Sequence, residues 1–268
     1  FAIACVLMAA LFFRRLKGLT VSDFKRGLFV GGQTFLAFEL QTIGVKQTTA
    51  GKNAFLTAAY CVVVPFLWWA VRKIKPRRAH LVSAFLCLVG IGLLSLQKGE
   101  PVNWGDVLSF SCSFLFAAQI VTIGILTETC DPIRLCFTQT AVTAGLALIT
   151  ALFTEPLPDA LPADTVFSLL YLGVFSTMLA NLLQYICQKY TAPSKASLIM
   201  SLESVFGTAF GILFLSEKLT LKTLAGFVLI FISIVLSERK PHSSGNDEPH
   251  PAPVPTECGN SKEQDKPA

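Results

Sequence analysis

The chain of 268 residues is 53% hydrophobic and only 15% charged, with mean hydropathy +0.60 and a formal charge of +5. Soluble domains carry roughly 25% charged residues, so this composition excludes an ordinary water-soluble fold and points to an integral membrane protein. The charge sits in loops between apolar runs, with no basic stripe interleaved with aromatics, which excludes a nucleic-acid binder; the eight cysteines have no CxxC and no pairing spacing, which argues against a disulfide framework or a metal site.

The chain opens on "FAIACVLMAALFF", too short for the about twenty residues a span requires. Its basic residues (Arg14, Arg15, Lys17) follow the apolar run, whereas a signal peptide carries them in front. The run therefore reads as the back half of a span. Further apolar runs predict membrane helices at 27–45, 52–71, 79–97, 105–125, 133–154, 164–187, 193–215 and 221–238. Lipid offers backbone groups no water, so these runs must be helical, giving an all-α, polytopic membrane helix bundle. After Glu238 the text turns polar and proline-rich, predicting a disordered tail over 239–268. Arg14, Arg15, Lys17, Lys25 and Arg26 crowd one loop and "RKIKPRR" (Arg72 to Arg78) another two spans later, while alternate loops hold few cations. The positive-inside rule then puts those loops and the tail in the cytoplasm, in a multi-pass protein of the cell inner (plasma) membrane. Trp68 and Trp69 suit the inner interfacial belt, and Pro65 is expected to bend its helix.

One stretch is written twice. "TFLAFELQTIGVKQTTAGK" (34–52) and "TMLANLLQYICQKYTAPSK" (177–195) agree at nine of nineteen positions without a gap, an offset of 143 residues. The same offset gives fifteen identities between 34–95 and 177–238, including Gln, Thr and Lys residues that apolar bias does not explain. The two copies lie five spans apart. An odd separation turns the second upside down, the inverted-repeat pattern of secondary transporters that rock about a midplane site. The expected organisation is a first repeat over 1–97, an inverted second repeat over 105–238 and the tail. The offset also starts the first repeat about forty residues before Phe1, so a ten-helix protein with a truncated first repeat is expected, with impaired transport from the shortened chain.

Thr34, Ala37 and Gln41 share one helix face, and Thr177, Ala180 and Gln184 repeat it with Asn181 alongside. A polar face duplicated in two inverted halves suits a shared central cavity; helix–helix hydrogen bonding is the other reading. Glu39 lies about 140° around the helix from Thr34 and stands apart from that face. Gln119 and Gln139 add polar candidates on their own spans. Glu203 falls near mid-membrane, where an ionisable side chain is costly and marks a substrate or proton pathway, or else locks two helices by a hydrogen bond.

The copy "YTAPSKASLIMSLESVFGTAFGILFLSEKLTLKTLAGFVLIFISIVLSE" resembles the ending of EamA-type permeases of the drug/metabolite transporter superfamily, and "TTAGKNAFLTAAYCVVVPF" resembles the matching segment of the first repeat. The resemblance spans residues 1 to 238. It implies a secondary transporter (permease) moving small organic metabolites such as amino acids or drugs by alternating access, proton-coupled or exchanging, with no cofactor. The partners it implies are a small-molecule substrate, the lipid bilayer and the coupling proton, with a homodimer among the assemblies it allows. The sequence departs from the family pattern where Ser204 replaces the proline after Glu203, so the usual kink is expected to be absent, and where Tyr60 occupies the position equivalent to that glutamate. No HExxH, GxSxG or Walker motif points to an enzyme or to ATP. The remaining alternative is a non-transporting helical scaffold or regulatory membrane protein.

Overall fold

The computed structural model describes residues 1–96, 102–154, 162–215 and 220–238. The expected tail and the connections at 97–101, 155–161 and 216–219 lie outside the described residues. All regular elements within them are helical: α1 (Ala2–Leu11), α2 (Phe13–Leu16), α3 (Val21–Val45), α4 (Ala50–Ala58), α5 (Tyr60–Arg72), α6 (Arg78–Ser95), α7 (Trp104–Leu126), α8 (Pro132–Thr154), α9 (Ala163–Tyr171), a π-helical stretch (Leu172–Leu179), α10 (Ala180–Gln188), α11 (Pro193–Met200), α12 (Leu202–Leu215) and α13 (Leu221–Glu238). Among the described residues, four stretches are long and apolar enough to cross a membrane: Gly51–Arg72, Trp104–Leu126, Pro132–Thr154 and Ala163–Gln188. The all-α polytopic bundle expected from the sequence is the fold that forms.

Local chemistry sets the helix starts. Thr20 and Asp23 form a capping box, with Thr20 N donating to Asp23 Oδ2 at 3.0 Å and Asp23 N to Thr20 Oγ1 at 3.2 Å. This starts α3 six residues ahead of the apolar run that announces it. Asn103 and Asp106 build the same box at α7, with bonds of 3.0 and 2.9 Å. Pro193 occupies the first turn of α11, where its missing N–H costs nothing.

Two expected spans are interrupted. The run 52–71 breaks at Ala59, between α4 and α5, six residues ahead of Pro65, which sits inside α5. The run 193–215 breaks at Ser201, between α11 and α12. This interruption is a single turn residue, with no proline after Glu203. Ser201 Oγ donates to Ser197 O at 2.9 Å and Ser197 Oγ to Ser194 O at 3.0 Å, and such back-bonding hydroxyls loosen and bend helices. The run 164–187 is also divided, its middle wound as the π-helical stretch.

The 143-residue offset carries over to these boundaries. Shifted by it, α6 coincides with α13 from first residue to last, and α4 begins where α11 begins. α6 and α13 meet backbone to backbone: a Cβ on Gly90 would lie 2.9 Å from Gly226 O, and one on Gly226 2.8 Å from Gly90 O. Glycines likewise seat α3. A Cβ at Gly27 would fall 2.3 Å from Thr138 Oγ1 of α8, and one at Gly44 2.6 Å from Ser109 Oγ of α7. One apolar cluster joins α5, α6, α7, α11 and α13 around Cys61, Val64, Cys87, Ile91 and Ile120. A second joins α1, α3, α7, α8 and α10 around Met8, Val30, Ile123, Cys136 and Tyr185.

Candidate functional site

A seam of polar contacts runs between the early helices α3, α4 and α5 and the later helices α7 and α8. At the end holding residues 46–53, Lys52 Nζ lies 2.6 Å from Asp106 Oδ2, with the two side chains only 11% and 6% exposed. Thr48 Oγ1 donates to Asp106 Oδ1 at 2.6 Å, and Asn103 Nδ2 to Gln47 O at 2.8 Å. Burying a charge pair is tolerable only when its remaining valences are met, and here Thr48 and the Asn103 backbone N–H meet them. Deeper in, Ser109 Oγ donates to Asn53 Oδ1 at 2.7 Å, and the Thr57 hydroxyl sits 3.4 Å from Cys112 Sγ. Gln41 Nε2 reaches Thr57 Oγ1 at 3.5 Å. Further along, Gln119 Nε2 donates to Thr34 Oγ1 at 2.8 Å, and that hydroxyl donates to Val30 O at 2.9 Å. Gln139 Nε2 donates to Thr143 Oγ1 at 3.1 Å, which donates to Gly31 O at 3.2 Å. At the opposite, basic end the seam closes on an ion pair between Arg72 and Glu128, with the Arg72 guanidinium also stacked over Trp68.

The structure thus brings Thr34 to Gln119 and Gln41 to Thr57, and packs Thr34 and Ala37 out of solvent. The second copy of that pattern sits differently. Thr177, in the π-helical stretch, Asn181 and Gln184 are half-buried. Gln184 Nε2 reaches Gln188 Oε1 at 3.4 Å, and Gln188 Nε2 reaches Ile120 O at 3.4 Å. Glu39 is half-buried on the α3 surface.

The two interrupted helices meet at their breaks. Tyr60 begins α5 immediately after Ala59, and Glu203 lies two residues beyond Ser201; the offset of 143 makes Tyr60 and Glu203 counterparts. α11 packs against α5 there, and Leu198 and Val205 join the buried cluster that holds Tyr60 and Cys61. Tyr60 is 4% exposed and its hydroxyl has no hydrogen-bond partner, whereas Glu203 is exposed. Cys61 and Cys87 are buried in the same cluster, and the Cys61 thiol reaches Ala84 O at 3.7 Å. Gln139 Oε1, Gln33 Oε1 and the Tyr185 hydroxyl are further buried polar atoms without a partner. Helix breaks expose backbone groups that ions and polar solutes can use, and orphaned side-chain atoms beside them extend that capacity. Among the described residues no three His, Cys, Asp or Glu side chains converge to hold a metal.

Sequence reasoning missed Lys52, Asp106, Thr57, Cys112 and Ser201 as members of these arrangements. The signal available for Asp106 was its capping-box spacing from Asn103, which identifies a helix start but not the lysine it meets.

The model of the EamA-like transporter family matches the chain over residues 1–96 and again over 103–239. An uncharacterised transporter from Archaeoglobus fulgidus is 33% identical over 236 residues, covering 88% of this chain and 73% of its own. Protein PecM from Dickeya dadantii is 26% identical over 162 residues, covering 59% of this chain and 54% of its own. A solved crystal structure superposes with a TM-score of 0.74 at 14% identity, over 88% of this chain and 83% of the other, a likeness of fold. The chain belongs to the EamA-like transporter family.

Proposed function

We propose that the chain works as a secondary transporter, moving small organic metabolites such as amino acids or drugs across the cytoplasmic membrane by alternating access between two inverted repeats (1–97 and 105–238). The observation that carries this reading is the meeting of α5 and α11, in two spans interrupted within one residue of equivalence at Ala59 and Ser201, with the counterparts Tyr60 and Glu203 just beyond the interruptions and the Tyr60 hydroxyl buried. In this reading Glu203 binds the coupling proton or a polar group of the substrate, and Tyr60 supplies the facing hydrogen bond. Thr177, Asn181 and Gln184 line the route on the loosely packed side. Gln41, Thr34, Gln119 and Gln139 stiffen the opposite wall. The basic end and the tail face the cytoplasm. α4–α5 and α7 are pinned at both ends, by Lys52–Asp106 and Arg72–Glu128, so they move as one body. The rearrangement falls at the α5–α11 junction and along α10.

Metabolite profiling of cells and medium tests this. Cells expressing the protein are compared with cells expressing Glu203→Gln at equal membrane levels. A solute that redistributes with the first and at least about tenfold more slowly with the second, as expected for loss of an intramembrane relay carboxylate, supports the assignment. Equal redistribution removes Glu203 from the pathway. No redistribution of any solute, with insertion verified, turns the reading toward a scaffold.

A further inference from the structure

We propose that the basic end of the molecule binds the phosphate headgroups of anionic phospholipids through two sets of exposed cations flanking the loop 127–131. The acids whose side chains are described at this end are Asp23, Glu128 and Asp131, and each is already held by an arginine. Arg26 lies 3.8 Å from Asp23, Arg15 lies 3.7 Å from Asp131, and Arg72 pairs with Glu128. Asp131 Oδ1 also accepts from Ile133 N at 2.8 Å, capping α8.

Six exposed cations are left over: Arg14, Lys17 and Lys25 on one side, Lys73, Lys75 and Arg78 on the other. None of the six makes an ion pair among the described residues. Glu128 and Asp131 sit three residues apart and tie one set through Arg72 and the other through Arg15, so both sets border one surface.

The apolar residues among these cations specify what covers them. Phe13, Leu19, Val21 and Phe24 are 60%, 36%, 75% and 54% exposed around the first set, and Trp69 is 40% exposed beside the second. Lys17 stacks over Phe13 at 5.0 Å. A few exposed rings beside cations at the end of a membrane bundle fit the headgroup zone, where rings sit at the interface and each cation near an anionic surface gains about 1 kcal/mol. A soluble anion would account for the cations and leave the rings exposed to water. The acidic residues of the tail (Asp247, Glu248, Glu257, Glu263, Asp265) are the rival source of counter-charge.

The test places the full chain in nanodiscs of phosphatidylcholine containing 30 mol% phosphatidylglycerol, about the anionic share of a charged leaflet. The lipid retained after detergent extraction is then measured by native mass spectrometry. Retained phosphatidylglycerol is expected at several times its bulk ratio. It should fall toward the bulk ratio in 0.5 M salt, roughly where screening shortens to a few ångströms, and in Lys73→Gln/Lys75→Gln/Arg78→Gln and Arg14→Gln/Lys17→Gln/Lys25→Gln. Circular dichroism checks that both triple variants keep their helices. Retention at the bulk ratio in the native chain, or enrichment unchanged in both variants, overturns the proposal. A chain with its five tail acids neutralised should retain the same amount; a several-fold rise would assign the patch to the tail instead.

Discussion

α3 and its counterpart 143 residues on, the run through α9, the π-helical stretch and α10, carry the same polar pattern in opposite surroundings. α3 is continuous over 25 residues, capped by Thr20 and Asp23, and seated by Gly27, Gly31 and Gly44 against α7 and α8. In the counterpart α9 buries no residue, the middle is wound as a π-helix that buries Gly173 alone, and further burial comes at Leu182, Tyr185 and Gln188 of α10. A repeated sequence therefore does not build a repeated environment. One copy is welded into a wall, and the other keeps its Thr, Asn and Gln half-buried. Looser packing and π-turns are where proteins place moving or ligand-contacting segments, which is why the second copy is assigned the route and the first the frame.

The weld is tested most severely at Asp106. Asp106→Ala removes the carboxylate 2.6 Å from the buried Lys52 ammonium, and we expect a loss of about 3–5 kcal/mol in unfolding measurements on the reconstituted protein. Lys52→Met/Asp106→Leu should recover most of that loss, because an apolar pair leaves no charge to bury. Packing comes next. Gly27→Val should cost about 1–3 kcal/mol, since even a Cβ there meets Thr138 Oγ1 at 2.3 Å. Its counterpart change, Leu170→Ala, on a residue 48% exposed, should stay within about 0.5 kcal/mol. Thr34→Ala should cost about 0.6 kcal/mol, the value of one interhelical hydrogen bond in a membrane. Thr177→Ala should leave stability unchanged and slow transport. If Thr34→Ala slows transport while Thr177→Ala unfolds the protein, frame and route have been exchanged.

Much of the architecture was legible because lipid simplifies the code. Apolar length gave the spans, and the 143-residue offset anticipated that α6 and α13 share boundaries. The interruptions were harder to read. No residue type announces the interruption at Ala59, and the one at Ser201 falls on a serine ladder, Ser194–Ser197–Ser201, whose hydroxyls bond back to the preceding turn. Spacing on one helix could place Thr34 and Gln41 on a common face. It could not say that this face meets Gln119 and Thr57, because partners 85 and 16 residues away are chosen by tertiary packing. Lys52 and Asp106 stand in separate stretches of the sequence, and only the fold makes them a buried pair.

The central claim is that the seam between α4 and α7 is fixed while α10 and α11 shift against α7. Paired cysteine cross-links in a chain lacking the native cysteines test it directly. Asn53→Cys/Ser109→Cys bridges the seam where the two side chains now touch at 2.7 Å. Gly124→Cys/Pro193→Cys bridges the other interface, where a Cβ on Gly124 lies 3.8 Å from Pro193 Cβ, the usual spacing of a disulfide. Transport should survive oxidation of the first pair and stop, reversibly on reduction, with the second. Arrest by the seam cross-link with free transport through the other would contradict the account.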